Sequence, residues 1–220
     1  MTDTKRFIAV EGPIGVGKTT LARRLAEDFG GELLLEQVSK NPFLDEFYNS
    51  PRASALSTQL SFLMQRVEQL EALRNVTGKP PLYIADFLID KDKLFAQNTL
   101  TADELALYEQ IHSRVVTTVP IPDLVIYLQA PVDVLLKRIS KRGRSFEKPV
   151  SSTYLSQLSD AYTSFFHYYD DSPLLIVNAT EIDIVNHDED YLRLLKQVKT
   201  IGSGKHFFNP LPFSAKGAAK

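Results

Sequence analysis

Cysteine is absent from this sequence. Without a thiol, the chain can have no disulfide framework, no thiolate zinc site and no cysteine nucleophile. Its absence therefore excludes thiol redox chemistry and cysteine-based catalysis, and it is consistent with a reducing compartment.

A large excess of charge and long apolar runs are also missing. The formal net charge is -2, from 25 Lys and Arg against 27 Asp and Glu, so the basic surplus typical of nucleic-acid binders is lacking. No apolar run approaches the ~20 residues that a membrane-spanning helix needs. The first strand-like run begins near Phe7, which leaves little room for a signal or transit peptide. We therefore expect no nucleic-acid partner, no membrane association and a cytoplasmic location.

Short apolar runs alternate with segments of helical period along the 220 residues. The strand-like runs lie at 7–11, 32–35, 82–85, 123–128 and 173–177. This alternation is typical of an α/β fold, in which helices cover both faces of a parallel sheet. A chain of this length can bury roughly 70% of its unfolded surface as one domain. The sequence predicts one domain over 1–205 with a five-stranded sheet, followed by a loose tail at 206–220.

Two helical patterns are long. The stretch 53–76 has apolar residues every three or four positions and no proline, which predicts one long helix. A second pattern at 102–118 begins with Thr101 and Glu104, which have the spacing of a capping box. A helix of ~24 residues is ~36 Å long, and the apolar positions of 53–76 extend beyond one narrow stripe. We therefore expect a second surface of this helix to be buried.

A glycine-rich turn follows the first strand. Residues 12–19 match G-x-x-x-x-G-K-[ST], in which backbone N–H groups close around phosphate oxygens at the start of a helix. In this pattern Lys18 neutralises the β- and γ-phosphates, and Thr19 reaches Mg²⁺. The predicted ATP-binding residues are Gly12, Pro13, Ile14, Gly15, Val16, Gly17, Lys18, Thr19 and Thr20.

Other charged residues are candidates for catalysis. Glu36 follows the second strand, and the carboxyl ends of parallel strands face the ligand crevice, so its carboxylate can take a hydroxyl proton. Arg138, Arg142 and Arg144 lie around the end of a helical segment. Their guanidinium groups can close over a transferred phosphoryl group as a lid; the alternative is a solvated basic helix end. We predict Lys18, Glu36 and the three arginines as catalytic groups.

Together these residues resemble the deoxynucleoside kinase family over nearly the whole chain. The resemblance is carried by the phosphate loop, Glu36, the pair Gln59 and Arg66, and the pattern Arg-x-x-x-Arg-Gly-Arg-x-x-Glu at 138–147. It implies the P-loop kinase fold with a short arginine-rich lid, and a reaction that uses Mg²⁺ and takes ATP as phosphate donor. It also implies a homodimer in which long helices of two subunits pair.

The resemblance also assigns roles in the acceptor pocket. Glu36 is implied as the base on the 5′-hydroxyl, and Tyr48 and Glu147 as ligands of the sugar 3′-hydroxyl. Gln59 is implied to pair with the edge of the base, and Arg66 lies seven residues further along the same helix face. The implied substrate-binding residues are Glu36, Tyr48, Gln59, Arg66, Asp86 and Glu147.

One position departs from the family pattern. After the third strand the family usually carries an acidic residue followed by Arg-Ser, whereas this chain has Asp86 followed by Phe87. Asp86 is predicted, with Thr19, to hold Mg²⁺; the alternative is an N-cap for the helix that follows. Lys91, Lys93 or a lid arginine could replace the missing arginine, or this is a divergent branch whose alignment with the family shifts by one residue here.

The sequence thus predicts ATP-dependent phosphorylation of a deoxynucleoside 5′-hydroxyl. Arg66 offers only donors, and purine N7 and guanine O6 are acceptors, which favours deoxyadenosine or deoxyguanosine. Asp90 or Asp92 could instead accept from the amino group of adenine or cytosine. Two alternatives stay open. One is a nucleoside monophosphate kinase such as thymidylate kinase, which calls for an arginine at the acceptor phosphate. The other is a non-catalytic nucleotide-binding regulator.

Overall fold

The computed structural model describes residues 6–73, 80–117, 119–144, 147, 150–180 and 188–209. Over these residues the chain forms an α/β fold around a parallel sheet in the order β2-β3-β1-β4-β5-β6. The strands are β1 (Phe7–Glu11), β2 (Glu32–Leu34), β3 (Tyr83–Ala85), β4 (Leu124–Gln129), β5 (Leu174–Asn178) and β6 (Lys205–Phe208). All five predicted strands are present, so the predicted fold class is confirmed.

The sixth strand is a correction to the predicted five-stranded sheet and to the start of the predicted loose tail. β6 pairs with β5 in parallel, with Leu174 opposite Lys205. Lys205 Nζ also donates a hydrogen bond of 3.3 Å to the carbonyl of Phe166, which fastens the strand to the neighbouring helix. β6 has the sequence Lys-His-Phe-Phe, which contains neither a continuous apolar run nor a strict alternation of polar and apolar residues, so periodicity does not detect it. Residues 210–220 lie outside the described residues.

Helices lie on both faces of the sheet. They are α1 (Lys18–Phe29), α2 (Leu44–Asn49), α3 (Pro51–Ala72), α4 (Lys91–Thr99), α5 (Ala102–Val115), α6 (Val132–Arg142), α7 (Ser152–Tyr168) and α8 (Asp188–Thr200). The predicted helix at 53–76 is α3, whose predicted last residues 74–76 lie outside the described part. The predicted capping box is present at the start of α5, where Thr101 accepts from the Glu104 backbone N–H.

Apolar clusters fill both sides of the sheet. On one side β1, β4 and β5 pack against α1, α6 and α8, and on the other β3 packs against α3 and α5. No helix among the described residues is both long and apolar enough to cross a membrane. Because all strands are parallel, their carboxyl ends meet along one edge, where the phosphate loop, Glu36 and Asp86 follow β1, β2 and β3.

Candidate active site

A cavity of about 1070 Å³ opens at the carboxyl edge of the sheet. Small-molecule sites usually occupy ~300–1,000 Å³, so this cavity lies at the upper end of that range. At one end its wall is the phosphate loop with Lys18, and at the other it includes Tyr48, Gln59 and Arg66. Glu36 also lines it.

Glycine is required in the phosphate loop for two reasons. Gly12, Gly15 and Gly17 all have positive φ, at 146°, 84° and 112°. A Cβ on Gly12 would lie 2.4 Å from the Leu128 carbonyl oxygen, and one on Gly15 would lie 2.8 Å from a side-chain carbon of Ile139. The loop can therefore keep this shape only with glycine at these positions.

Lys18 lies over the phosphate loop at the start of α1. Its Nζ donates to the carbonyls of Gly12 at 2.7 Å and Pro13 at 3.3 Å. Burial lowers the pKa of Lys18, and the nearby carboxylate of Glu11 acts in the opposite direction. The ammonium group is thus held at the turn where a phosphate chain would lie.

Thr19 and Asp86 are brought together from two elements. Thr19 Oγ1 donates to Asp86 Oδ2 at 2.5 Å, and Asp86 Oδ1 accepts from the Glu36 backbone N–H at 2.7 Å. Because the N-cap residue of α4 is Asp90, the alternative of Asp86 as a helix cap does not hold. A hydroxyl and a carboxylate beside a phosphate loop are oxygen donors of the kind that Mg²⁺ prefers, so these residues fit the ion.

Glu36 is held by two cations. Its Oε1 accepts from Lys91 Nζ at 2.8 Å and from Arg66 through both Nε, at 3.1 Å, and Nη2. Within the described part of the chain no hydrogen bond or ion pair reaches Oε2. Burial alone would raise the pKa of Glu36, but Lys91 and Arg66 outweigh burial and hold this pKa well below its ordinary value. The side chain is therefore an ionised carboxylate with one oxygen left for an acceptor.

At the far end of the cavity Arg66 and Gln59 extend from α3. Arg66 Nη1 donates to Asp92, which is fully buried. Gln59 Nε2 donates to Thr99 Oγ1 at 3.3 Å, while the Thr99 hydroxyl donates to the Phe95 carbonyl at 2.7 Å. The sequence offered Asp90 and Asp92 as carboxylates near Arg66, and the structure shows Asp92 in contact with its guanidinium group.

The three arginines predicted to form a lid lie at two different positions. Arg138 donates to the carbonyls of Val16 at 3.3 Å and Ala179 at 2.8 Å, so it lies against the phosphate loop. Arg142 donates to both carboxylate oxygens of Glu147, at 3.0 and 2.6 Å. Arg144 Nη1 lies 3.7 Å from Glu147 Oε1. The predicted sugar ligand and two predicted lid cations thus form one cluster.

Tyr48 lies close to this cluster. Burial, then the neighbouring Tyr154 and the carboxylate of Glu147, raise the pKa of the Tyr48 phenol. The phenol is therefore a protonated hydroxyl that can donate a hydrogen bond. Glu147 and Tyr48, assigned to the sugar from the sequence, both line the same cavity.

Sequence reasoning missed Glu11 and left Lys91 as one of several options. Glu11 is fully buried at the end of β1. Its Oε1 accepts from the Gly12 backbone at 2.8 Å and from Tyr162 at 2.9 Å, and its Oε2 from the Leu88 backbone at 2.8 Å. A charged residue ending an otherwise apolar strand was the one available signal.

Known proteins match this architecture. A family model described as deoxynucleoside kinase matches residues 8–203. The deoxyguanosine kinase of Bacillus subtilis (strain 168) is 37% identical over 206 residues, which cover 90% of this chain and 99% of that protein. The deoxyadenosine kinase of Lactobacillus acidophilus is 30% identical over 208 residues, covering 88% of this chain and 94% of that protein. The structure of deoxyadenosine kinase from M. mycoides with bound dATP has 26% identity and a TM-score of 0.76, and it covers 88% of this chain and 100% of that chain.

Proposed function

The chain belongs to the deoxynucleoside kinase family, and from this premise we propose that it transfers the γ-phosphoryl group of ATP to the 5′-hydroxyl of a purine deoxynucleoside. Phosphorylation of deoxynucleosides is the activity of the family. The acceptor base, the residue roles, the homodimer and the cytoplasmic location belong to the proposal.

The observation that carries the proposal is the carboxylate of Glu36. Two cations contact one of its oxygens, and the other oxygen has no partner among the described residues. An ionised carboxylate opposite a phosphate loop suits an acceptor that is a hydroxyl, because the carboxylate can accept its proton. It does not suit a monophosphate acceptor, whose negative charge it would repel. This favours a nucleoside kinase over a nucleoside monophosphate kinase.

In the proposed reaction one bond to the γ-phosphorus forms and another breaks. The 5′-oxygen forms a bond to the γ-phosphorus while the bond from that phosphorus to the β,γ-bridging oxygen breaks, which leaves ADP. The hydroxyl proton passes to Oε2 of Glu36. Lys18 neutralises the β- and γ-phosphates, and Arg142 and Arg144 turn toward the γ-phosphate when ligands draw them from Glu147. Such transfers depend on positioning and electrostatic neutralisation.

Thr19 and Asp86 would hold Mg²⁺. When bound, the ion neutralises charge on the phosphate oxygens. Asp86 also accepts from the backbone of Glu36 at 2.7 Å, so the same side chain fixes the segment that carries the base.

Arg66 supports a purine acceptor. It lines the cavity, whereas Asp92 behind it is fully buried, so the guanidinium and not the carboxylate faces the base. A guanidinium donates only, and purine N7 and guanine O6 accept. The relatives named for deoxyguanosine and deoxyadenosine support the same class, and both purines remain candidates.

The test is steady-state turnover with deoxyadenosine, deoxyguanosine, deoxycytidine, thymidine and dTMP, each with ATP and Mg²⁺. We expect 5′-monophosphate products with the highest kcat/KM for a purine deoxynucleoside. A pyrimidine that exceeds both purines would contradict the base assignment alone. Faster turnover of dTMP than of any nucleoside would favour the monophosphate kinase, and no turnover with any acceptor would favour a regulator.

A further inference from the structure

The position at which the family pattern has arginine cannot supply a cation in this chain. Phe87 is fully buried in the apolar cluster formed by β3, α3 and α5, together with Leu63 and Tyr108. Of the two lysines in the first turn of α4, Lys93 is exposed and Lys91 is only 3% exposed.

Lys91 is in an unfavourable place for a lysine that serves only the fold. It is the first residue of α4, where the helix dipole disfavours a positive charge. Its burial adds a desolvation cost. Both costs need compensation by specific anions, because an unpaired buried charge strongly destabilises a fold.

The carboxylates of Glu36 and Glu11 provide that compensation. Lys91 Nζ lies 2.8 Å from Glu36 Oε1 and 3.8 Å from Glu11 Oε2. Glu11 is itself fixed by the backbone N–H groups of Gly12 and Leu88. The ammonium group therefore lies between an anion tied to the phosphate loop and the carboxylate of the acceptor site.

The geometry at Glu36 indicates what the lysine does. Arg66 contacts Oε1 through both Nε and Nη2, although a guanidinium and a carboxylate commonly form two parallel bonds that use both oxygens. Lys91 also binds Oε1, from α4. Both cations thus share one oxygen, and this arrangement keeps Oε2 out of the pair with Arg66.

Resting on the proposed function, we infer that Lys91 is the positioning residue that keeps Oε2 of Glu36 available to the acceptor hydroxyl. Lys91, at the start of α4, thus supplies the cation that Phe87, the residue after Asp86, does not provide. Without it, Glu36 turns and engages Arg66 with both oxygens, so the base is withdrawn from the hydroxyl.

The test compares Lys91→Met, Lys91→Arg and, as a matched control on the same helix turn, Lys93→Met. We expect Lys91→Met to lower kcat with a deoxynucleoside by about tenfold to a hundredfold, the range of one charge-assisted hydrogen bond. Lys91→Arg should recover part of this loss, and Lys93→Met should stay within about twofold of wild type. Equal thermal unfolding and ATP affinity in all variants show that the comparison is between folded proteins.

The split between kcat and KM separates positioning from a purely structural role. Lys91 Nζ contacts the carboxylates of Glu36 and Glu11, so Lys91→Met should lower kcat while KM for the deoxynucleoside stays within about twofold of wild type. If the Met variant is destabilised, Lys91→Arg alone still carries the test, through a partial kcat at an unchanged KM.

Three outcomes would overturn the inference: equal kcat in Lys91→Met and Lys93→Met, a loss in Lys91→Met that appears in KM and not in kcat, or no recovery with arginine. Each presupposes that the wild type phosphorylates deoxynucleosides. Failure of the wild type with every deoxynucleoside would instead remove the proposed function on which the inference rests.

Discussion

At the scale of single residues, the candidate site is a set of paired charges whose partners come from distant segments. Glu147 is bonded to Arg142 at 2.6 and 3.0 Å, so the carboxylate assigned to the sugar also holds a lid arginine. A bound 3′-hydroxyl would compete for that carboxylate. Under the proposed function, sugar recognition and lid position are therefore coupled through one side chain.

Tyr48→Phe tests the sugar assignment. The variant removes one hydroxyl and keeps the ring, so kcat/KM for the deoxynucleoside should fall about tenfold while the 2′,3′-dideoxynucleoside loses little, because a buried polar partner is worth ~1–3 kcal/mol. The measurement is the ratio of kcat/KM for the two substrates. Tyr168→Phe is the control, since Tyr168 is 80% exposed. An unchanged ratio in Tyr48→Phe would exclude Tyr48 from the sugar contact.

Residues at strand ends were predictable, and their partners were not. Glu36 and Asp86 follow β2 and β3, and parallel strands bring such ends together, so the sequence could group them with Thr19. Lys91 carries no local pattern, and the one signal for Glu11 was a charge at the end of an apolar strand. Their importance depends on a contact between α4 and β1 that the sequence does not encode at short range.

At the scale of elements, α5 contains a buried group that the reaction does not use. His112 is 5% exposed, and its Nε2 has no hydrogen-bond partner among the described residues. Burial, and then the charge of Lys93, lower the pKa of His112 to about 4. The folded protein therefore holds this imidazole neutral under conditions in which the unfolded chain protonates it.

The pH dependence of stability follows from this difference. Between pH ~6.5 and ~4 the unfolded chain binds one more proton at His112 than the folded chain does, so the free energy of unfolding falls as the pH falls. This residue can account for at most roughly 3 kcal/mol of that loss. Urea unfolding of His112→Gln across this range should show a flatter pH dependence than wild type. His167→Gln, at an exposed position, is the control, and an equal slope in wild type and His112→Gln would contradict the account.

Element prediction succeeded where the sequence carried an apolar run or a start signal, and it failed at β6, which carries neither. The phosphate loop was recognised by its motif, α3 by its helical period, and α5 by its helical period together with its capping box. β6 has four residues at the sheet edge, and its pairing with β5 depends on the folded sheet. Local periodicity could not supply that information.

At the scale of the whole molecule, α3 and α5 pack together and each has a large exposed apolar side chain. Met64 is 51% exposed and Leu107 is 47% exposed. The sequence predicted a second buried surface for the long helix, and the homodimer remains our proposal for what covers it. The described residues themselves leave these two side chains uncovered.

Light scattering at micromolar concentration tests this proposal. We expect twice the mass of one chain for wild type and a shift toward a single chain for Met64→Glu, because a charge in a buried apolar contact is costly. Leu192→Glu changes an equally exposed leucine on α8, 56% exposed, and should leave the mass unchanged. A wild type that scatters as a single chain would contradict the dimer.

The most direct test of the account is single-turnover phosphoryl transfer by Glu36→Gln, because the central claim is that this carboxylate receives the proton of the acceptor hydroxyl. The amide keeps an oxygen for Lys91 and Arg66 but is a far weaker base, so we predict a rate ~10²–10⁴-fold below wild type. Glu32→Gln, at the exposed start of β2, should retain the wild-type rate. Isothermal titration should give unchanged affinities for ATP and the deoxynucleoside in both variants. A near-wild-type rate in Glu36→Gln would contradict the account.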